Sequence, residues 1–314
     1  MQGLEAGTLG RGLKSDTPPG KKTRVKKATK PKAPTVITPA QVIPEPPFWG
    51  RKVVNDIDLR TVFPYINKAA LFRGQWGFKR SKLSPEAYAR IEQETIFPTF
   101  DKLTDQVVRE QLLSPKVIYG YYPCQSEGDR LWVYENHMDA EPKHFIDFPR
   151  QAEEGGLAIP DFFRSLKSGE KDVLAFQLVT VGERATEYAQ DLYAKNAYTE
   201  YLYFHGLAVE TAEALAEYWH GQIRKDLGIA QDDGIEVKQL FRQKYQGSRY
   251  SFGYPACPEL KDQELLFKLL DAPSEGIPSL KNIRSYPSRV RRPLLSITLV
   301  LNIFPCDKSI EIYK

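Results

Sequence analysis

The stretch Arg249–Pro258 reads R-Y-S-F-G-Y-P-A-C-P, and it concentrates residue types that can hold one small polar ligand. A guanidinium offers a rigid fork of donors that matches a carboxylate. Gly253 admits a backbone path, or a close ligand approach, that a side chain would forbid. Pro255 and Pro258 fix φ and remove two backbone donors, so the stretch is neither a helix interior nor a central strand. It reads as a rigid loop able to present an arginine, backbone amides and a tyrosine around one ligand. Taken alone, a Gly-Tyr-Pro is more often an ordinary surface turn.

Two carboxylates elsewhere, Asp58 and Glu213, have plain readings from their positions. Asp58 stands just ahead of an apolar helical pattern, the position of an N-cap. Glu213 flanks a helical stripe of Ala212, Leu215, Trp219 and Ile223, where core meets solvent. A carboxylate there is either solvated or overhangs a groove. Arg249 itself could be half of a surface ion pair worth less than about 1 kcal/mol. Other chemistries find less support. His137, His144, His205 and His220 lack any H-x-x-x-H or H-E-x-x-H spacing, and no C-x-x-C joins Cys124, Cys257 and Cys306, so no metal site is expected. No G-x-G-x-x-G follows a strand, which leaves a nicotinamide site unsupported.

These residues need elements to hold them. Ser84-Pro85-Glu86 predicts a helix start, with serine as N-cap and proline in the first turn. A second helix is expected over 96–113, broken near its start by Pro98. Strands are expected at 117–122 and 131–135, joined through the turn-rich Ser126–Asp129. Val173–Val181 is apolar almost throughout and predicts a strand buried on both faces. Helices follow at about 184–195, 207–227 (closed by Gly228) and 235–245.

With 314 residues, 41% hydrophobic and 12% aromatic, the chain can bury one large core or two small ones. Widely spaced cysteines argue against a disulfide framework and for a reducing cytoplasm. No secretory signal follows Met1, and the longest apolar run, Leu294–Phe304, is about half of what a membrane span needs. The net charge of +4 is an average over unlike pieces. Residues 1–47 carry +6 and residues 281–314 carry +5, which leaves an acidic body at −7. Residues 1–46 are rich in Lys, Pro, Thr and Gly and lack periodic apolar positions. They predict a disordered basic linker, with an RNA tether as the rival reading.

Seven blocks occur in one order: PPFWG ending at Gly50, IDLRTVFPYIN (57–67), LFRGQWGF (71–78), KVIYGYYPC (116–124), LAFQLVTVG (174–182), YLYFHGLAVETAEALAEYWH (201–220) and YQGSRYSFGYPACPEL (245–260). In this series the chain resembles the C-terminal activation domain of cobalamin-dependent methionine synthase, over roughly residues 46–272. The resemblance implies an α+β fold, a curved, mostly antiparallel sheet flanked by helices, spanning 47–280. It implies S-adenosylmethionine (AdoMet) as ligand, with Arg249 on its carboxylate and Asp58 on its amino group. Glu213 would face the ligand, Ser251 and Gly253 would act through backbone, and Tyr254 would stand between ligand and cobalt. The implied reaction is reductive methylation of cob(II)alamin. Cobalamin would be held by another module, and the electron would come from a flavodoxin-type donor.

Beyond about Pro273 the resemblance stops. The family's Tyr-Phe-Ser-His-Pro-like segment, which helps close the AdoMet site, has no counterpart in residues 281–314. A divergent, truncated or frameshifted tail is expected there, and with it weak AdoMet binding. The run Leu294–Ile303 alternates apolar residues without charge, so it suits either a strand on an open sheet edge or an exposed aggregation-prone one. Two further readings stay open: a non-catalytic remnant with an incomplete pocket, and a nucleic-acid-associated protein acting through its basic flanks.

Overall fold

The computed structural model describes residues 42–80, 83–151, 156–230, 247–277 and 295–301, the last of these through its backbone. The expected linker up to residue 41, the expected helix at 235–245 and the lysine run at 21–32 lie outside the described residues.

Seven strands form one sheet in which every pairing is antiparallel: β1 (Gly50–Val54), β2 (Lys116–Glu127), β3 (Arg130–Val133), β4 (His144–Asp147), β5 (Asp172–Thr180), β6 (Ser248–Ser251) and β7 (Leu295–Leu301). Their order is β4-β3-β2-β5-β7-β6, with β1 pairing β2 alongside β3. All nine residues of β5 are buried, as its unbroken apolar run requires of a strand covered on both faces. The pleat divides β5 by parity. Val173, Ala175 and Val179 join one core; Leu174, Phe176 and Leu178 join the other. On β2, Val117, Tyr119 and Tyr121 fall with the first set, and Ile118 and Tyr122 with the second.

The first core is roofed by helices. They are α1 (Leu59–Val62), α2 (Pro85–Ile91), α3 (Phe97–Arg109), α4 (Glu183–Ala194) and α5 (Tyr198–Asp226). The second is closed by the short 3-10 turn Ile159–Phe162, the chain following β6, and the helix Gln263–Leu269. At 29 residues α5 is roughly 43 Å long, and it runs against β5 and β7. Gln177, fully buried on β5, donates from Nε2 to the carbonyl of Ala216 at 3.0 Å, pinning strand to helix.

Several boundaries differ from those expected, each for a local reason. Ser84 caps α2 as predicted, its Oγ accepting from the Ala87 N–H at 3.2 Å. Pro98 does not break the next helix. A π-helical turn, Glu92–Ile96, runs straight into α3 and widens the path just where the proline ring would strike the preceding turn. The hairpin turn is tighter than Ser126–Asp129, because Glu127 pairs with Arg130 across Gly128-Asp129. Gly128 at φ 59° suits such a two-residue connection. Helix α5 begins at Tyr198, nine residues before the expected Leu207. Tyr201, Phe204, Leu207 and Ala208 extend its buried stripe upstream, and interior Gly206 hides that continuity in the sequence.

Gly206 is where two elements touch. A Cβ there would lie 2.8 Å from the Cβ of Gln75 and 3.0 Å from Cδ1 of Trp76. The π-helical segment Ala70–Gln75 is thereby seated directly on α5, and Trp76 Nε1 donates to the Tyr203 carbonyl at 3.0 Å. The apolar run near the C-terminus forms β7, paired with β5 on one side and β6 on the other. Among the described residues no helix is long and apolar enough to cross a membrane.

Candidate functional site

Arg249 and Ser251 stand on a strand, not in a loop. β6 is an edge strand, paired only with β7 among the described residues, and it ends at Ser251, ahead of Pro255 and Pro258. Alternation then sorts the motif. Tyr250 and Phe252 enter the second core, which turns Arg249 and Ser251 toward the face that carries α5, whereas Gly253 lies beyond the strand, where a Cβ would come 3.1 Å from Leu260 Cδ2. The chain next makes a tight turn, in which the Cys257 N–H donates to the Tyr254 carbonyl at 3.0 Å and the Gly253 N–H donates to the Cys257 carbonyl at 2.9 Å. Pro255 occupies the second turn position, where its fixed φ belongs. Gly253 adopts φ 94°, a value strained for any other residue. Tyr254 projects from the turn and is 53% exposed.

Arg249 meets two acids one helical turn apart on α5. Its Nη2 lies 3.4 Å from Glu217 Oε2, and its Nη1 lies 3.7 Å from Glu213 Oε2. The Arg249 and Glu217 side chains are each 13% exposed, whereas Glu213 is 52% exposed. This is a withdrawn cluster, unlike the surface pair that Arg249 alone suggested. Nε and Nη1 of Arg249 are out of water and make no hydrogen bond among the described residues, a costly state for a guanidinium unless something else accepts.

Asp58 is on a separate element. Its carboxylate accepts from the Arg60 N–H at 2.9 Å and caps α1, the plainer of its two readings. No bond ties Asp58 to Arg249, Glu213 or Glu217 among the described residues. What relates them is packing: α1 and the turn Phe63–Tyr65 lie against α5, with Tyr65 edge-on to Tyr218 at 5.3 Å.

Sequence reasoning missed the remainder of this helix face. Glu210, Glu213, Glu217, His220 and Arg224 recur at alternating intervals of three and four, so they form one stripe along α5. Most of it is buried: Glu210, His220 and Arg224 are all under 9% exposed. Burial pushes the Glu210 carboxyl up in pKa, although Gln75 Nε2 donates to it at 3.2 Å. Burial likewise pulls the His220 imidazole below its ordinary value, against the opposing pull of Glu217, whose Oε1 lies 3.9 Å from Nδ1. The signal was present in the interval pattern. Attention to the apolar stripe beside it hid the polar one.

The architecture is of the α+β class, an antiparallel sheet flanked by helices, with a withdrawn strand arginine facing a helix of acids. Over residues 58–287 the chain matches the family described as vitamin B12 dependent methionine synthase, activation domain, and it belongs to that family. The matched range opens at Asp58, takes in Glu213 and the Arg249–Tyr254 stretch, and ends before β7. The methionine synthase of Mycobacterium tuberculosis (strain ATCC 25618 / H37Rv) is 36% identical over 261 residues, 79% of this chain and 22% of that protein. The methionine synthase of Mycobacterium leprae (strain TN) is 34% identical with the same coverage. The chain thus spans about a fifth of the length of these curated relatives. A crystal structure of the MetH reactivation domain bound to AdoHcy shares the fold, with a TM-score of 0.70 and 24% identity over 87% of this chain and 83% of that one.

Proposed function

We propose that this chain binds AdoMet between α5 and β6 and presents it to a cobalamin carried by another module of methionine synthase. The observation that carries the reading is Arg249, withdrawn beside Glu217 with donors on Nε and Nη1 unspent. An amino-acid carboxylate is the natural acceptor for such a donor. The acids around it suit the rest of the ligand. AdoMet adds an ammonium and a sulfonium to its carboxylate, and Glu213 and Glu217 outnumber the one arginine they face, so the local charge favours a cation-rich zwitterion. The domain of similar fold was crystallised with AdoHcy, which differs from AdoMet by the transferred methyl group and keeps the carboxylate and amino group.

In this reading Arg249 holds the carboxylate and Asp58 the amino group, with Glu213 facing the ligand. Ser251 and Gly253 contribute backbone groups, and exposed Tyr254 stands on the side from which the cobalt centre approaches. Cobalamin, held by another module, would supply the methyl acceptor, with a flavodoxin-type protein as the electron donor. The work of this chain is orientation, fixing a bound sulfonium so that the transfer becomes effectively unimolecular. The competing view of the chain as a nucleic-acid-associated protein rests on flanks whose lysines and arginines fall outside the described residues.

Calorimetry with AdoMet tests the proposal. Arg249→Ala should cost about 2–4 kcal/mol, roughly thirty- to a thousand-fold in Kd, with the circular dichroism spectrum preserved. Arg249→Lys should recover only part of this, since an ammonium cannot reproduce the planar donor set. Unchanged affinity in the alanine variant would remove Arg249 from the site.

A further inference from the structure

Two carboxylates reach Arg249, but they are not equivalent. Glu213 is half exposed and sits at 3.7 Å from Nη1, beyond hydrogen-bond range. Glu217 is as withdrawn as the arginine itself and lies at 3.4 Å from Nη2. It is one turn further along α5, and its other oxygen faces the fully buried His220 at 3.9 Å. The helix carrying it is pinned to the sheet one residue away, through the Gln177 bond to the Ala216 carbonyl. Glu217 therefore belongs to the rigid part of the fold, while Glu213 lies on its rim.

We propose that Glu217 is a positioning residue for ligand recognition: it fixes the Arg249 guanidinium through Nη2 and so holds an unspent donor of that guanidinium toward the ligand carboxylate. The inference rests on the AdoMet reading above and goes beyond it, because Glu217 need not touch the ligand at all. An arginine side chain is long and rotamer-rich, and holding it at the far end removes an ordering cost that the ligand would otherwise bear. The same contact gives the buried guanidinium a counter-charge before any ligand arrives. Glu213, more exposed and more distant from the arginine, is left to respond to the ligand.

The role predicts selectivity, which a merely structural carboxylate would not confer. Glu217→Gln keeps the shape and one acceptor oxygen while removing the charge. It should weaken AdoMet and AdoHcy by about tenfold or more, the scale typical of losing the partner that orients a ligating group. Binding of methylthioadenosine, which keeps the nucleoside and lacks the amino-acid carboxylate, should be unchanged. In an Arg249→Lys background, where the planar guanidinium is gone, Glu217→Gln should have a much smaller effect on AdoMet. Equal losses for AdoMet and methylthioadenosine, or equal effects in both backgrounds, would assign Glu217 to general stability and overturn the inference. An affinity that depends on Arg249 but is untouched by Glu217→Gln would overturn it alone. An affinity indifferent to Arg249→Ala would sink the site reading and this inference with it.

Discussion

At the level of single residues, the stripe on α5 sets a balance that acid should disturb. His220 is 1% exposed, and burial holds its imidazole below the ordinary value of about 6.5. The unfolded chain therefore takes up the proton first on acidification. The stabilisation is complete above about pH 6.5 and is lost as pH falls toward the depressed folded value. His205 is shifted in the same direction by burial and adds to the slope. His220→Gln removes one titrating group, so its melting temperature should fall less than that of the wild type between about pH 7 and pH 5. Parallel declines would show that His220 does not couple to folding. The stripe also explains what could be read in advance. Arg249 and Glu213 were each legible as candidate ligand residues, and they lie 3.7 Å apart. Glu217, His220 and Arg224 were not. Charged residues are rarely buried, so a sequence reading assigns them to solvent unless a strand side chain is known to face them.

Among the elements, α5 and β5 were legible for the reason that most defines them, long apolar patterns with a clear period. Edges were not. The π-helical turn ahead of Pro98 and the upstream start of α5 at Tyr198 both depend on what packs against them, and a local pattern does not carry that. Two glycines on α5 turn this difference into a measurement. At Gly206 an added methyl would press on Gln75 and Trp76, whereas at Gly221 it meets nothing within 4 Å. Alanine gains up to about 1 kcal/mol of helix propensity at either site. Overpacking at the first should cost about 1–3 kcal/mol. Denaturant melts should therefore show Gly206→Ala destabilised and Gly221→Ala slightly stabilised. The opposite order would mean that the segment Ala70–Gln75 yields readily and does not brace the helix.

For the molecule as a whole, β7 decides what the sheet can hold. It separates β5 from β6 and is, among the described residues, the sole strand partner of β6. A chain stopped after residue 294 would leave the apolar β5 with an open edge and the strand of Arg249 without a neighbour, so it should aggregate and show no AdoMet binding by calorimetry. Retained binding would show that α5 alone can seat Arg249. The place of β7 in the sheet also sets a calendar. A polypeptide leaves the ribosome in sequence order, and β7 is made after every strand it lies between or beside. Pairing across such a separation is the slow part of assembly. The strand of Arg249 thus waits for its neighbour until synthesis has reached residue 301.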